Sequence, residues 1–62
     1  MYKNLKCLRT RFDLTQSDMA KILGISLVSY NQKEKGVKQF TLKEAKIIAD
    51  YFKESIDYVF TA

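Results

Sequence analysis

Seven carboxylates, one cysteine and no histidine are all that this 62-residue chain offers for acid–base, nucleophilic or metal chemistry. They are scattered singly, so no paired acid and base and no activated nucleophile can be assembled from their spacing. A zinc site would have to set carboxylates beside the lone Cys7, which also has no partner for an internal disulfide. Catalysis, a metal, a cofactor and a small-molecule substrate are therefore all expected to be absent, and 62 residues leave little room for an enclosed pocket. What the chain does offer is recognition chemistry. Asn31 and Gln32 are adjacent amides, each carrying a donor and an acceptor that can pair in bidentate fashion with adenine N6 and N7. Around them stand Leu27 and Val28, whose apolar atoms suit a thymine methyl, and Lys35, Lys38 and Lys43, which suit an anionic partner.

These side chains need an element to hold them. The stretch from Gln16 to Lys35, QSDMAKILGISLVSYNQKEK, reads as two short helices about a tight turn. Thr15 caps the first, and Met19, Ala20 and Leu23 share one face that must be buried. Gly24 ends it, because a residue without a Cβ enters the left-handed conformation at little cost. Ser26 caps the next helix, expected from about Leu27 to Lys33 or Glu34 and stopped by Gly36. Helices joined so closely must cross steeply, with the small Ala20 at the crossing. Ile25 and Tyr30 then point inward. The opposite stripe is Leu27, Val28, Asn31, Gln32 and Lys35.

The flanking chain supplies the support. Leu5, Leu8 and Phe12 recur on a helix expected over Asn4 to Phe12, with Phe12 only partly covered at its end, and Asp13 makes the left-handed turn where glycine would be easier. Val37 to Phe40 is a loop. Thr41-Leu42-Lys43-Glu44 is a capping box opening a fourth helix, whose buried face is expected to be Leu42, Ala45, Ile48, Ala49 and Phe52. Lys53-Glu54 breaks that pattern, and Ser55 caps a last short helix through Phe60. With no strand alternation, proline or internal repeat, the expected fold is all-α, a compact five-helix domain over residues 1–62.

The order of these residues resembles the lambda-repressor-like helix-turn-helix domains, the Cro and CI family of phage and bacterial transcription regulators. Leu5, Leu8 and Arg9, Leu14-Thr15-Gln16, Ala20, Leu23-Gly24-Ile25-Ser26, Tyr30, Glu34, Gly36, Thr41-Leu42, Ala49 and Ser55-Ile56-Asp57 carry it, over nearly the whole chain. Three positions depart from the pattern: Lys33 and Glu54 stand where apolar residues are more usual, and Phe40 stands near a common proline position. The resemblance implies double-stranded DNA bound by a dimer, with helix three in the major groove and helix two across the backbone. It gives base edges to Leu27, Val28, Asn31 and Gln32, and to Gln16 a phosphate contact that also orients the recognition helix, at a helix N-terminus that already favours an anion. Ser29, Lys35, Lys38 and Lys43 are weaker backbone contacts. Arg9 and Glu34 fall where relatives hold a partly buried ion pair tying helix one to helix three.

The apolar residues least accounted for by the core are Tyr51, Tyr58 and Phe60, near the last helix. The resemblance places subunit contacts there too, so a weak homodimer strengthened on DNA is expected. The formal charge of +4 suits a polyanionic partner without requiring one. No apolar run exceeds three residues and no secretory signal is recognisable, so the expected setting is the cytoplasm, without membrane contact. The expected function is sequence-specific transcription regulation by a Cro-like repressor or similar prophage switch protein. The alternative, kept open by Leu27 and Val28, is a protein-interaction module that has retained the fold and binds another repressor. RNA is disfavoured, because the narrow major groove of A-form RNA excludes a helix.

Overall fold

Four of the five helices in the computed structural model, which describes residues 2–61, start on a side-chain hydroxyl. Helix α1 runs over Lys3–Arg11, α2 over Gln16–Leu23, α3 over Leu27–Lys35, α4 over Leu42–Phe52 and α5 over Ile56–Phe60. Thr15, Ser26, Thr41 and Ser55 each accept a bond from the backbone N–H three residues on, satisfying a donor that the helix itself cannot. Two of these caps are reciprocal boxes, Thr15 with Asp18 and Thr41 with Glu44. No strand occurs among the described residues.

The first four helices close in one way. In each, a left-handed or turn residue lets the next N–H reach back to a carbonyl five residues earlier: Leu14 to Arg9, Ile25 to Ala20, Val37 to Gln32 and Glu54 to Ala49, at 2.9–3.0 Å. Glycine makes two of these turns, Gly24 at φ 70° and Gly36 at φ 88°. Asp13 at φ 59° and Lys53 at φ 57° make the others, at about 1 kcal/mol each in backbone strain.

These boundaries aim one face of each helix at a shared core. Leu5 and Leu8 of α1, Met19 and Ala20 of α2, Tyr30 of α3, Ile48 and Phe52 of α4 and Val59 of α5 are buried together. Tyr2, Phe40 and Phe60 close one end as a cluster of rings, with Phe60 5.3 Å from Tyr2 and 5.2 Å from Phe40. At another edge the half-exposed Phe12 stacks edge-on against Phe52 at 5.0 Å.

One expected core position is corrected. Leu42 is 70% exposed, although Ala45, Ile48, Ala49 and Phe52 of the same face are buried. It is the first residue of α4, and it stands on the rim of a shallow depression shared with Phe40, Ile56 and Phe60. Helical periodicity finds the face but not where the neighbouring elements stop. The helix limits also shift slightly, α1 by one residue and α3 outward to Lys35.

Candidate nucleic-acid interface

Helices α2 and α3 make the most extensive contact of any helix pair in the fold, joined by the turn at Gly24 and Ile25, and Ala20 of α2 is buried. This pairing leaves one stripe of α3 outward. Leu27 is 50% and Val28 68% exposed, Asn31 and Gln32 are half-buried, and Lys35 is exposed. Neither Leu27 nor Val28 belongs to the core. Lys35, Lys38 and Lys43 are all exposed on the segment from the end of α3 to the first turn of α4. Ser29, in the first turn of α3, is half-buried, its N–H spent on the Ser26 cap.

Behind the stripe lies a polar network centred on Glu34, the one buried charged residue among those described. Arg9 donates from Nε to Oε2 at 3.0 Å and from Nη2 to Oε1 at 3.3 Å, and its Nη1 donates to the Leu14 carbonyl at 3.0 Å. The Tyr30 hydroxyl donates to Oε2 at 2.7 Å. Gln16 donates from Nε2 to Oε1 at 2.9 Å, and its own Oε1 accepts from Asn31 Nδ2 at 2.9 Å. Five residues from three helices are thereby joined, from α1 through α2 to the outward stripe of α3. No buried side-chain polar atom among the described residues lacks a partner.

Burial alone would raise the Glu34 pKa. The bonds from Tyr30, Gln16 and Arg9, with the Arg9 charge, outweigh it and hold the carboxyl below the usual range. The Tyr30 hydroxyl is pushed far upward by burial and by the adjacent carboxylate, so it remains a donor. A second ion pair joins the same C-terminal turn of α3 to α4. Lys33 Nζ lies 2.6 and 2.7 Å from the two oxygens of Glu44, both side chains being 12% exposed. This answers the unusual lysine: its charge meets the carboxylate that also closes the α4 capping box. For Glu44 too, burial raises the pKa but Lys33 and the Thr41 bonds outweigh it.

Both carboxylates have folded pKa values below their unfolded ones. Each therefore contributes stability that is fully present above the unfolded pKa and is lost as pH falls through the folded pKa. Urea unfolding is accordingly expected to be level near neutrality and to shift to lower midpoints below about pH 5. In Glu34→Gln that acid-dependent loss should be smaller. An equal loss in the variant would mean that Glu34 contributes nothing to it.

The other expected contacts lie at the opposite end of the chain. Tyr51 and Tyr58 are exposed, the Tyr51 ring packing edge-on against Phe52 at 5.3 Å. The Tyr58 carbonyl accepts from Asn4 Nδ2 at 2.7 Å, which ties α5 to α1. Phe60 is half-buried in the ring cluster, so only part of it is open to a partner. Cys7 is exposed, no cluster that could hold a metal occurs among the described residues, and no helix there is long and apolar enough to cross a membrane.

Sequence reasoning missed the links made by Gln16, Tyr30 and Lys33. Two had a readable signal: Tyr30 and Glu34 stand four apart on one helix, where side chains meet, and Thr15 and Asp18 have capping-box spacing that fixes the start of α2 under Gln16. Compared with known proteins, residues 5–59 match a family model described as helix-turn-helix. No curated protein and no solved structure matches.

Proposed function

The chain belongs to the lambda-repressor-like helix-turn-helix family of DNA-binding transcription regulators, and from that premise we propose that it acts as a Cro-like repressor with α3 in the major groove. The observation that best supports this reading is the outward stripe of Leu27, Val28, Asn31 and Gln32, braced from behind by the Arg9–Glu34–Gln16 network. A recognition helix must present its base-reading side chains on a rigid element, and the last turn of this one is tied on two sides, by Glu34 to α1 and α2 and by Lys33 to α4. The second N–H of Gln16, the N-terminus of α2 and the Lys35, Lys38 and Lys43 side chains would meet phosphates, fixing register without reading sequence. A DNA partner sets the protein in the cytoplasm.

Gln32→Ala should relax preference at one base pair, costing about 1–3 kcal/mol in discrimination, whereas Lys38→Ala should weaken binding to all sequences alike. Affinity and selected site both unchanged in Gln32→Ala would require α3 to be reassigned.

Regulators of this size gain specificity by doubling. Two recognition helices related by a two-fold axis read half-sites about 34 Å apart, and adjacent half-sites supply the effective concentration that a small contact needs. We place that contact on the exposed Tyr51 and Tyr58 and the open part of Phe60. Tyr58→Glu and Phe60→Glu, each checked for folding by circular dichroism, should abolish cooperative occupancy of a two-half-site duplex. A folded variant that binds a lone half-site as tightly as the full site would sink the dimer.

The exposed Leu27 and Val28 support a second reading, a module that docks on another repressor. Titration with a mixed duplex pool separates the two. Salt-sensitive binding favours DNA, and its complete absence favours a protein partner.

A further inference from the structure

The first turn of a recognition helix is the part that meets base edges, and in α3 that turn presents two apolar side chains clear of the core. Their surroundings differ. Leu27 faces the groove lined by Thr10 of α1 and by Gln16 and Ser17 of α2. Val28 stands in line with Gln32 and Lys35, four and seven residues on, at the centre of the outward stripe, and it is 68% exposed. A valine side chain has no donor and no acceptor. Of everything the major groove displays, it gains from contact with one feature, the C5-methyl group of a pyrimidine.

We infer that Val28 reads this methyl group itself rather than the base that carries it, so that the chain takes duplex DNA with either thymine or 5-methylcytosine at that place and disfavours unmethylated cytosine. The inference rests on the major-groove reading of α3. Both methyl groups project from the same ring carbon into the major groove, so Val28 meets the same shape at the same place. The two bases differ only beside the methyl, where thymine offers the O4 acceptor and cytosine the N4 donor. A fixed donor there would tell them apart, but the neighbour one turn along the stripe is Gln32. Its amide carries both a donor and an acceptor, and the side chain makes no hydrogen bond among the described residues, so it turns over to suit either group. Occupancy of such a site then depends on a cytosine C5-methyltransferase acting on it, and rises when the methyl is added.

The test measures affinity of the full chain for a duplex selected from a random pool and for chemically altered versions of it. Deoxyuridine in place of each thymine in turn removes a methyl and leaves every hydrogen-bonding group. At one pair in each half-site it should weaken binding about fourfold, the worth of one buried methyl group. At that pair 5-methylcytosine opposite guanine should bind about fourfold more tightly than cytosine opposite guanine. Val28→Ser should erase both differences, and Leu27→Ala should leave both in place. Val28→Asn carries the same expectations if Val28→Ser does not melt cooperatively. Deoxyuridine equal to thymine at every position overturns the inference. A loss with deoxyuridine that has no counterpart between 5-methylcytosine and cytosine would mean that thymine is read as a whole base, and differences that persist without Val28 would place the methyl contact on another residue. Either result overturns it too. Absence of salt-sensitive duplex binding by the unaltered chain overturns instead the major-groove reading on which the inference stands.

Discussion

Arg9→Ala should destabilise the fold by about 3–5 kcal/mol, because it leaves a buried carboxylate without its counter-charge. Glu34 and Arg9 have side chains only 5% and 13% exposed, so water cannot replace the lost guanidinium. Glu34 would keep the bonds from Tyr30 and Gln16, and the Leu14 carbonyl would lose its donor at the α1–α2 turn. In a domain of this length a loss of that size lowers the melting temperature by about 12 °C or more. It also approaches the whole stability that so small a core supplies, about 3–5 kcal/mol. Arg9→Met/Glu34→Leu should recover only part of the loss, since it removes the orphaned charge but leaves the Tyr30 hydroxyl and the Leu14 carbonyl without their partners. The check is calorimetric melting of the single and double variants at neutral pH. A single variant within about 1 kcal/mol of the unaltered chain would mean that the pair does not hold α1 against α3.

Affinity for duplex DNA should fall about a thousandfold when salt rises from about 50 to about 200 mM. Lys35, Lys38 and Lys43 are exposed, so the proposed dimer would bring about six cations to the backbone, and six neutralised phosphates give a slope of log K on log salt near −5. Lys38→Ala removes two of them from a dimer and should bring the slope toward about −3.6. A slope near zero in the unaltered chain, measured by fluorescence anisotropy across a salt series, would contradict the phosphate roles of these lysines.

The fold was legible because its punctuation is local. Thr15, Ser26, Gly24, Gly36, Thr41, Glu44 and Ser55 act within a few residues of where they stand, so hydroxyls, glycines and the 3.6-residue period mark the helices almost to the residue. Leu42 lies outside that reach. Its exposure depends on where α4 overhangs its neighbours, which periodicity does not encode. The outward stripe of α3 followed from placing Ile25 and Tyr30 inward, and the resemblance alone supplied Arg9 with Glu34. The network behind the stripe was not readable. Gln16, Asn31 and Glu34 lie up to 18 positions apart, and which amide end meets which neighbour is decided only once α2 and α3 are crossed. Lys33 shows the same limit: a departure from an apolar pattern is resolved by Glu44, eleven residues away on another helix.

Selection of bound sequences from a random duplex pool tests most directly whether this chain reads DNA with α3. The expected result is enrichment of two A·T-containing half-sites spaced by about 34 Å, with preference at individual pairs that Gln32→Ala and Asn31→Ala each relax. A bound fraction with the composition of the input pool, or an enriched motif that neither substitution alters, would contradict it.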